Sequence, residues 1–307
     1  MTVVVKIGGA RAVDPEGALA DIAALVDADG DEREDVVVVH GGSTKVDETL
    51  ERMGIEPTYV DTPEGVTGRF TDAETMEVFT MAMSLINTDL VAGLRNQGVD
   101  ALGLSGVDGG LLTGTRKSAV RVIEDGKKKI KRGEHSGRID SVNTPLLETL
   151  LTEGYTPVTG PPMLGDDGAA SETPRAEGDV AAGTPVNTDA DRAAAAVAGA
   201  LGATLVLLTD VEGVYADPDD PATLISRVET PEEWAELEHA AEGFMTKKVM
   251  AAKEALDGGA TEVVVASANA DGPVTSAVGG SGTHIERSAV ADDTDDTDGT
   301  EREATEQ

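Results

Sequence analysis

The chain has 307 residues and a formal net charge of -34, with 58 acidic against 24 basic residues and 39% apolar residues. That is enough apolar material for one large α/β domain or two lobes, so the acidity belongs to a surface suited to a salt-rich cytosol and argues against nucleic acid as a partner. With no cysteine and only four histidines, a disulfide framework, a thiolate metal site and a cysteine nucleophile are excluded; with no signal-peptide pattern and no apolar run of ~18 residues, a cytoplasmic chain outside the membrane is expected.

Residues 2–9, TVVVKIGG, set a β-branched run directly before one lysine and two glycines. The run reads as a buried strand, because a sheet covered on both faces needs apolar side chains on both. Lys6 then stands at the carboxyl end of the strand, where open parallel sheets hold ligands. Gly8 and Gly9 let backbone N–H groups approach an anion closely. Taken alone, the same residues also describe an exposed lysine beside a turn.

Ala and Leu at helical spacing predict a helix over 14–29 with Asp14 as its cap. Residues 35–43, DVVVVHGGS, repeat the opening, and 44–53 continue as a helix. Two strand–glycine–helix units predict a parallel sheet with right-handed crossovers. The helix start behind Gly41, Gly42 and Ser43 offers unpaired N–H groups to an anion. His40 reads as structural and is assigned no chemistry.

Arg69 lies in a polar loop, 64–71, ahead of a long helix from its cap Asp72 to about Asn87. It is either a solvated surface arginine or a planar fork for a carboxylate. Met76, Met81 and Met83 on that helix read as core or subunit-interface packing. After a strand at 99–107, residues 116–138 hold nine Lys or Arg against three acids. The segment RKSAVRVIEDGKKKIKRG predicts a β-hairpin turning at Asp125-Gly126. So much positive charge in an acidic chain reads as a docking surface for an acidic macromolecule, carried by Lys127, Lys128, Lys129, Lys131 and Arg132. A solvated hairpin is the alternative.

A helix over 144–153 leads to the strand YTPVTGPPML, and residues 165–184 read as a flexible acidic insertion without a core. Asn187, Asp189 and Asp191 then precede an alanine-rich helix to about Leu201. They exceed what one cap needs and are available to lysines or to a substrate. From Thr204 a buried strand runs into Asp210 and a glycine turn. Residues 229–242 are helical, and GFMTKKVMAA opens a further helix with Lys247 and Lys248 in its first turns. Cations there oppose the helix dipole, which points to a compensating anion. Residues 261–267 form a late strand, 279–284 a glycine-rich turn, and 288–307 a disordered acidic tail.

No GxxxxGK[ST] loop is present, and the glycines from 103 to 109 lack a following helix, which disfavours P-loop enzymes and dinucleotide dehydrogenases. Jointly, VVVKIGG, VVVHGGS, GRFTD, PVNTDADRAAAAVA, LVLLTDVEGVY and GFMTKKVMAAKEA resemble the amino acid kinase family over nearly all of residues 1–287. Within it the pattern is similar to acetylglutamate kinases and to archaeal relatives that act on glutamate or 2-aminoadipate held by a small acidic amino-group carrier protein. The resemblance implies an α/β fold with an open, mostly parallel sheet sandwiched by helices, a substrate lobe over about 1–180, a nucleotide lobe over about 185–287, and a homodimer or larger oligomer. It implies that Lys6 and Lys248 stabilise the transition state and that Asp191 holds both. Gly42, Ser43, Arg69 and Asn187 match substrate-binding positions, with Ser43 where acetylglutamate kinases usually carry a third glycine. Gly8, Gly9, Thr209, Asp210 and Tyr215 match the nucleotide side, and ATP with Mg²⁺ bridging its phosphates is the implied donor.

A carboxylate acceptor is already ionised at neutral pH, so its attack on the γ-phosphate needs no general base. The basic hairpin favours a carrier-held acceptor in arginine or lysine biosynthesis over free N-acetylglutamate, because only the former needs a broad positive surface. A non-catalytic amino-acid sensor is the reading from a different class.

Overall fold

The structure, a computed structural model, describes residues 1–8, 15–27, 33–63, 67–124, 126–166, 183–241 and 243–290. Gly9, Asp14, Asp125, most of the acidic stretch at 165–184 and the tail from 291 onward lie outside the described residues.

In chain order the elements are β1 (Thr2–Ile7), α1 (Pro15–Val26), β2 (Asp35–His40), α2 (Ser43–Arg52), β3 (Tyr59–Asp61), β4 (Thr67–Arg69) and α3 (Ala73–Asn96). Then follow β5 (Ala101–Gly103), the long pair β6 (Leu112–Glu124) and β7 (Lys127–Val142), α4 (Thr144–Thr152), β8 (Thr156–Thr159), β9 (Met163–Asp166) and β10 (Thr184–Val186). The last third holds α5 (Ala190–Leu201), β11 (Thr204–Thr209), β12 (Arg227–Val228), α6 (Pro231–Ala240), α7 (Phe244–Asp257), β13 (Glu262–Ser267), α8 (Pro273–Val278) and β14 (Thr283–Glu286).

Eight strands form the central sheet in the order β12-β14-β13-β11-β1-β2-β8-β5. Its pairs are parallel except β13 with β14. Side chains of a strand alternate between the two faces. Val4, Val37, Val39, Leu205 and Leu207 therefore share one core with α4, α5 and α7, while Val3, Val5, Val36, Val38 and Leu208 share another with α1, α3 and α8. This is why the predicted strands are apolar at successive positions. The alanines of α5 let it lie close to its neighbours: a Cβ on Gly199 would meet the backbone of Gly258 at 3.0 Å.

A second sheet, β10-β9-β6-β7, carries the basic hairpin. Gly126, expected to be the second residue of its turn, has φ 71, a left-handed value that favours glycine. The ladder extends beyond the predicted 116–133 and shifts register between Lys117 and Ala119.

Several boundaries differ from expectation. Helix α3 continues to Asn96, and Met81 on it is exposed while Met76 and Met83 are buried. The strand expected over 155–164 divides into β8 of the central sheet and β9 of the second. Pro161 and Pro162 between them lack the N–H that a continuous ladder needs. Thr184 pairs with Gly165, so both ends of the expected insertion are sheet. Ala289 is buried, which takes the start of the expected tail into the fold. No helix among the described residues is long and apolar enough to cross a membrane.

Candidate active site

Lys6 shares the face of β1 that Val4 presents to α5, and at the strand's carboxyl end it meets the first turn of that helix. Asp189 caps α5 by accepting from the N–H groups of Asp191 and Arg192 at 2.8 and 3.2 Å. The cap sets Asp191 in the first turn of the helix, where its Oδ1 lies 2.6 Å from Lys6 Nζ. Helix α7 starts at Gly243, whose φ of 57 is a glycine conformation, and delivers Lys248 Nζ to 3.2 Å from Asp191 Oδ2. Side-chain exposures of 9% for Lys6 and 12% for Asp191 and Lys248 leave little room for solvent screening.

Burial alone would raise the Asp191 carboxyl, but the charges of Lys6 and then Lys248 outweigh it and hold it below the usual range. Lys248 is lowered from an ordinary lysine, first by burial and then by Lys6, with Asp191 opposing both. Two ammonium groups around one carboxylate leave a net positive centre, suited to a group that gathers negative charge.

The residues expected to bind the acceptor lie on α2, on β4 and just before α5. Gly42 caps α2 without a side-chain bond, and a Cβ there would come within 2.8 Å of Met83 Sδ. The Arg69 side chain is only 6% exposed. Its Nη2 donates to the Ser43 backbone oxygen at 2.8 Å, to Ser43 Oγ at 2.9 Å and to Asp47 Oδ1 at 2.9 Å, and Nε reaches the same carboxylate oxygen at 3.1 Å. Arg69 is thus a held fork beside a helix N-terminus, not a solvated arginine. Asn187 Nδ2 donates to Thr71 Oγ1 at 3.0 Å.

Of the residues expected to border a nucleotide, Thr209 ends β11 beside β1 and donates to Asp210 Oδ1 at 3.0 Å. Tyr215 forms an isolated bridge with Leu224 further along the same loop. Gly8 follows β1 directly. No group of three or more His, Asp or Glu among the described residues could hold a metal ion.

Lys127, Lys128, Lys129 and Arg132 are exposed at the hairpin tip. Lys131, half-buried, places Nζ 4.0 Å from the centre of the Phe70 ring. Below it, Thr71 N donates to Glu134 Oε2 at 3.4 Å and His135 N to the Thr71 oxygen at 2.7 Å. Asn187 and His135 pair through backbone at 2.8 Å. Burial pushes the Glu134 carboxyl up. Phe70, Thr71 and Glu134 went unnoticed in the sequence, where GRFTD offered the only hint. They join the basic hairpin to Asn187 and to the strand that carries Arg69.

The architecture is an α/β fold with a mostly parallel central sheet covered by helices on both faces. The structure of carbamate kinase from Giardia lamblia bound to AMP-PNP shares the fold, with TM-score 0.61 at 16% identity over 93% of this chain and 98% of that one. Residues 1–267 match the amino acid kinase family, and the chain belongs to it. It is 38% identical over 290 residues to the [LysW]-aminoadipate kinase of Thermus thermophilus, covering 92% of this chain and 99% of that protein. It is 43% identical over 266 residues to the acetylglutamate kinase of Methanopyrus kandleri, covering 85% and 93%.

Proposed function

We propose that the protein uses ATP to phosphorylate the side-chain carboxylate of glutamate or 2-aminoadipate held on an acidic amino-group carrier protein, forming an acyl phosphate in lysine or arginine biosynthesis. The names of its relatives support both a carrier-held and a free acetylated acceptor. The observation that favours the carrier is the set of exposed bases at the hairpin tip, Lys127, Lys128, Lys129 and Arg132, in a chain of net charge -34. A small free acceptor gains nothing from charge displayed so far out on the hairpin.

In this reading the acceptor lies between the start of α2 and β4, with Arg69, Ser43 and Asn187 orienting it. Its carboxylate attacks the γ-phosphorus, the bond to the bridging oxygen breaks, and ADP leaves with the electron pair. Lys6 neutralises the transferring phosphoryl group and Lys248 the departing oxygen. Asp191 fixes their spacing, and the N–H groups at the head of α2 share the remaining charge. Gly8, Thr209, Asp210 and Tyr215 border the nucleotide. Mg²⁺ neutralises phosphate charge when bound.

The working enzyme is proposed to be a cytosolic, salt-adapted homo-oligomer with the substrate lobe over about 1–180 and the nucleotide lobe over about 185–287. Exposed Met81 and Leu85 on α3 support a subunit contact. The deciding experiment is ADP release in high salt with free N-acetylglutamate and, separately, with a carrier protein ending in the substrate residue. Turnover with the carrier alone is expected. Turnover with the free amino acid alone would keep the kinase and overturn the carrier.

A further inference from the structure

Lys247 precedes Lys248 on α7 but reaches a different element, β4. Its Nζ donates to the backbone oxygen of Thr67 at 3.3 Å. Thr67 opens β4, two residues before Arg69, and pairs with Asp61 across the β3–β4 ladder. One helix therefore touches the transfer centre through Lys248 and the acceptor-side hairpin through Lys247.

The partners of the two lysines differ in charge. Lys248 has Asp191. Lys247 pairs with no carboxylate among the described residues, although acids outnumber bases 58 to 24 in this chain. A carbonyl oxygen takes one of its three N–H groups and cancels none of its charge. Half-buried near the positive end of a helix, with Lys248 next to it in sequence, the ammonium is in an unfavourable field when no anion is present. A wholly solvated lysine would avoid that field by extending into water. This one is held toward the acceptor side by Thr67.

We infer that Lys247 is an acceptor-binding residue, aimed by the Thr67 oxygen at a second, non-reacting carboxylate of the acceptor. The inference rests on the acceptor lying between α2 and β4. An amino acid attached through its amino group keeps its α-carboxylate as well as the side-chain carboxylate that reacts, so such a partner is present in every acceptor considered above.

The test is steady-state kinetics of Lys247→Gln, Lys247→Arg and Arg69→Ala, varying acceptor at saturating ATP and ATP at saturating acceptor. Lys247→Gln keeps a donor for the Thr67 oxygen and loses the charge. It should raise acceptor KM by ~10-fold or more, the scale of one charged hydrogen bond, with kcat and ATP KM nearly unchanged. Lys247→Arg should recover most of the loss, and rising salt should affect the Gln variant less than the parent. A wild-type acceptor KM for Lys247→Gln, or a rise in ATP KM instead, overturns the inference. If Arg69→Ala also leaves acceptor KM unmoved, the placement of the acceptor itself fails. A rise for Arg69→Ala alone removes only the role of Lys247.

Discussion

Asp191→Asn probes the transfer centre most directly. The carboxylate lies 2.6 Å from Lys6 Nζ and 3.2 Å from Lys248 Nζ, and its side chain is 12% exposed, so bulk water cannot take its place. The amide keeps one oxygen and replaces the other with an NH₂ group. One lysine retains an acceptor while the other faces a donor and is displaced. The expected loss is that of one transition-state cation, about 10²–10³-fold in kcat. A second effect concerns pH. Lys248 is lowered by burial and by Lys6 against the opposing charge of Asp191. Removing the opposing charge lowers it further. In the proposed role the protonated ammonium is the active form, so activity should fall as pH rises through the Lys248 pKa, and the alkaline limb of the variant should lie at lower pH than that of the parent. The assay is ADP release across the neutral to alkaline range in high salt. Folding is checked by circular dichroism, because breaking a buried ion pair costs about 3–5 kcal/mol. A kcat loss below tenfold in a folded variant, or an unmoved alkaline limb, refutes this account of the centre.

Lys6→Ala and Lys248→Ala should each lower kcat by at least ~100-fold; losses under tenfold for both would remove the two lysines from the chemistry. Reversing the charge of Lys127, Lys128, Lys129, Lys131 and Arg132 should raise KM for the carrier and leave ATP binding alone, as read by carrier titration and nucleotide affinity, and an unmoved carrier KM would end the docking role. His40 is held neutral by burial, its pKa pushed down from 6.5 to about 4. The unfolded chain binds one more proton between those values, so this residue's contribution is fully present above about 6.5 and declines by about 1.4 kcal/mol per pH unit as pH falls toward 4. Urea midpoints of His40→Gln should fall less steeply over that window than those of the parent, and parallel curves would contradict the assignment.

Elements whose residues answer to a local rule were readable in the sequence. The Val runs of β1 and β2 are apolar at every position because helices cover both faces of their sheet, and Gly126 between two alternating runs needs only its own backbone preference. The join of Lys6, Asp191 and Lys248 was not readable from spacing, since three elements far apart in the chain make it. Only the resemblance of several stretches to one family brought those residues together. The Thr71 contacts had no local signature at all: Glu134 is 63 residues away and Asn187 is 116. The division of residues 155–164 was concealed for another reason. Its apolar run suits a single strand, whereas two missing N–H groups at Pro161 and Pro162 send its halves to different sheets.

The placement of the cations also determines how salt should act on each. At ~1 M salt the screening length is about 3 Å, shorter than the reach needed to steer a partner but comparable to the contacts of the buried centre. Lys6 and Lys248 lie within that range of Asp191 and are shielded from ions by burial, so kcat should change little between moderate and molar salt. The exposed bases of the tip, Lys127, Lys128, Lys129 and Arg132, have no such protection. Carrier KM should therefore rise with salt, while the charge-reversed hairpin should lose or invert that slope. Measurements must begin above the low-salt range, where a net charge of -34 repels itself and weakens the fold. A salt-insensitive carrier KM would mean that the hairpin binds by shape and apolar contact, with exposed Ile130 as the first residue to test. A kcat that falls with salt would place the two lysines in contact with solvent, contrary to their exposures of 9% and 12%.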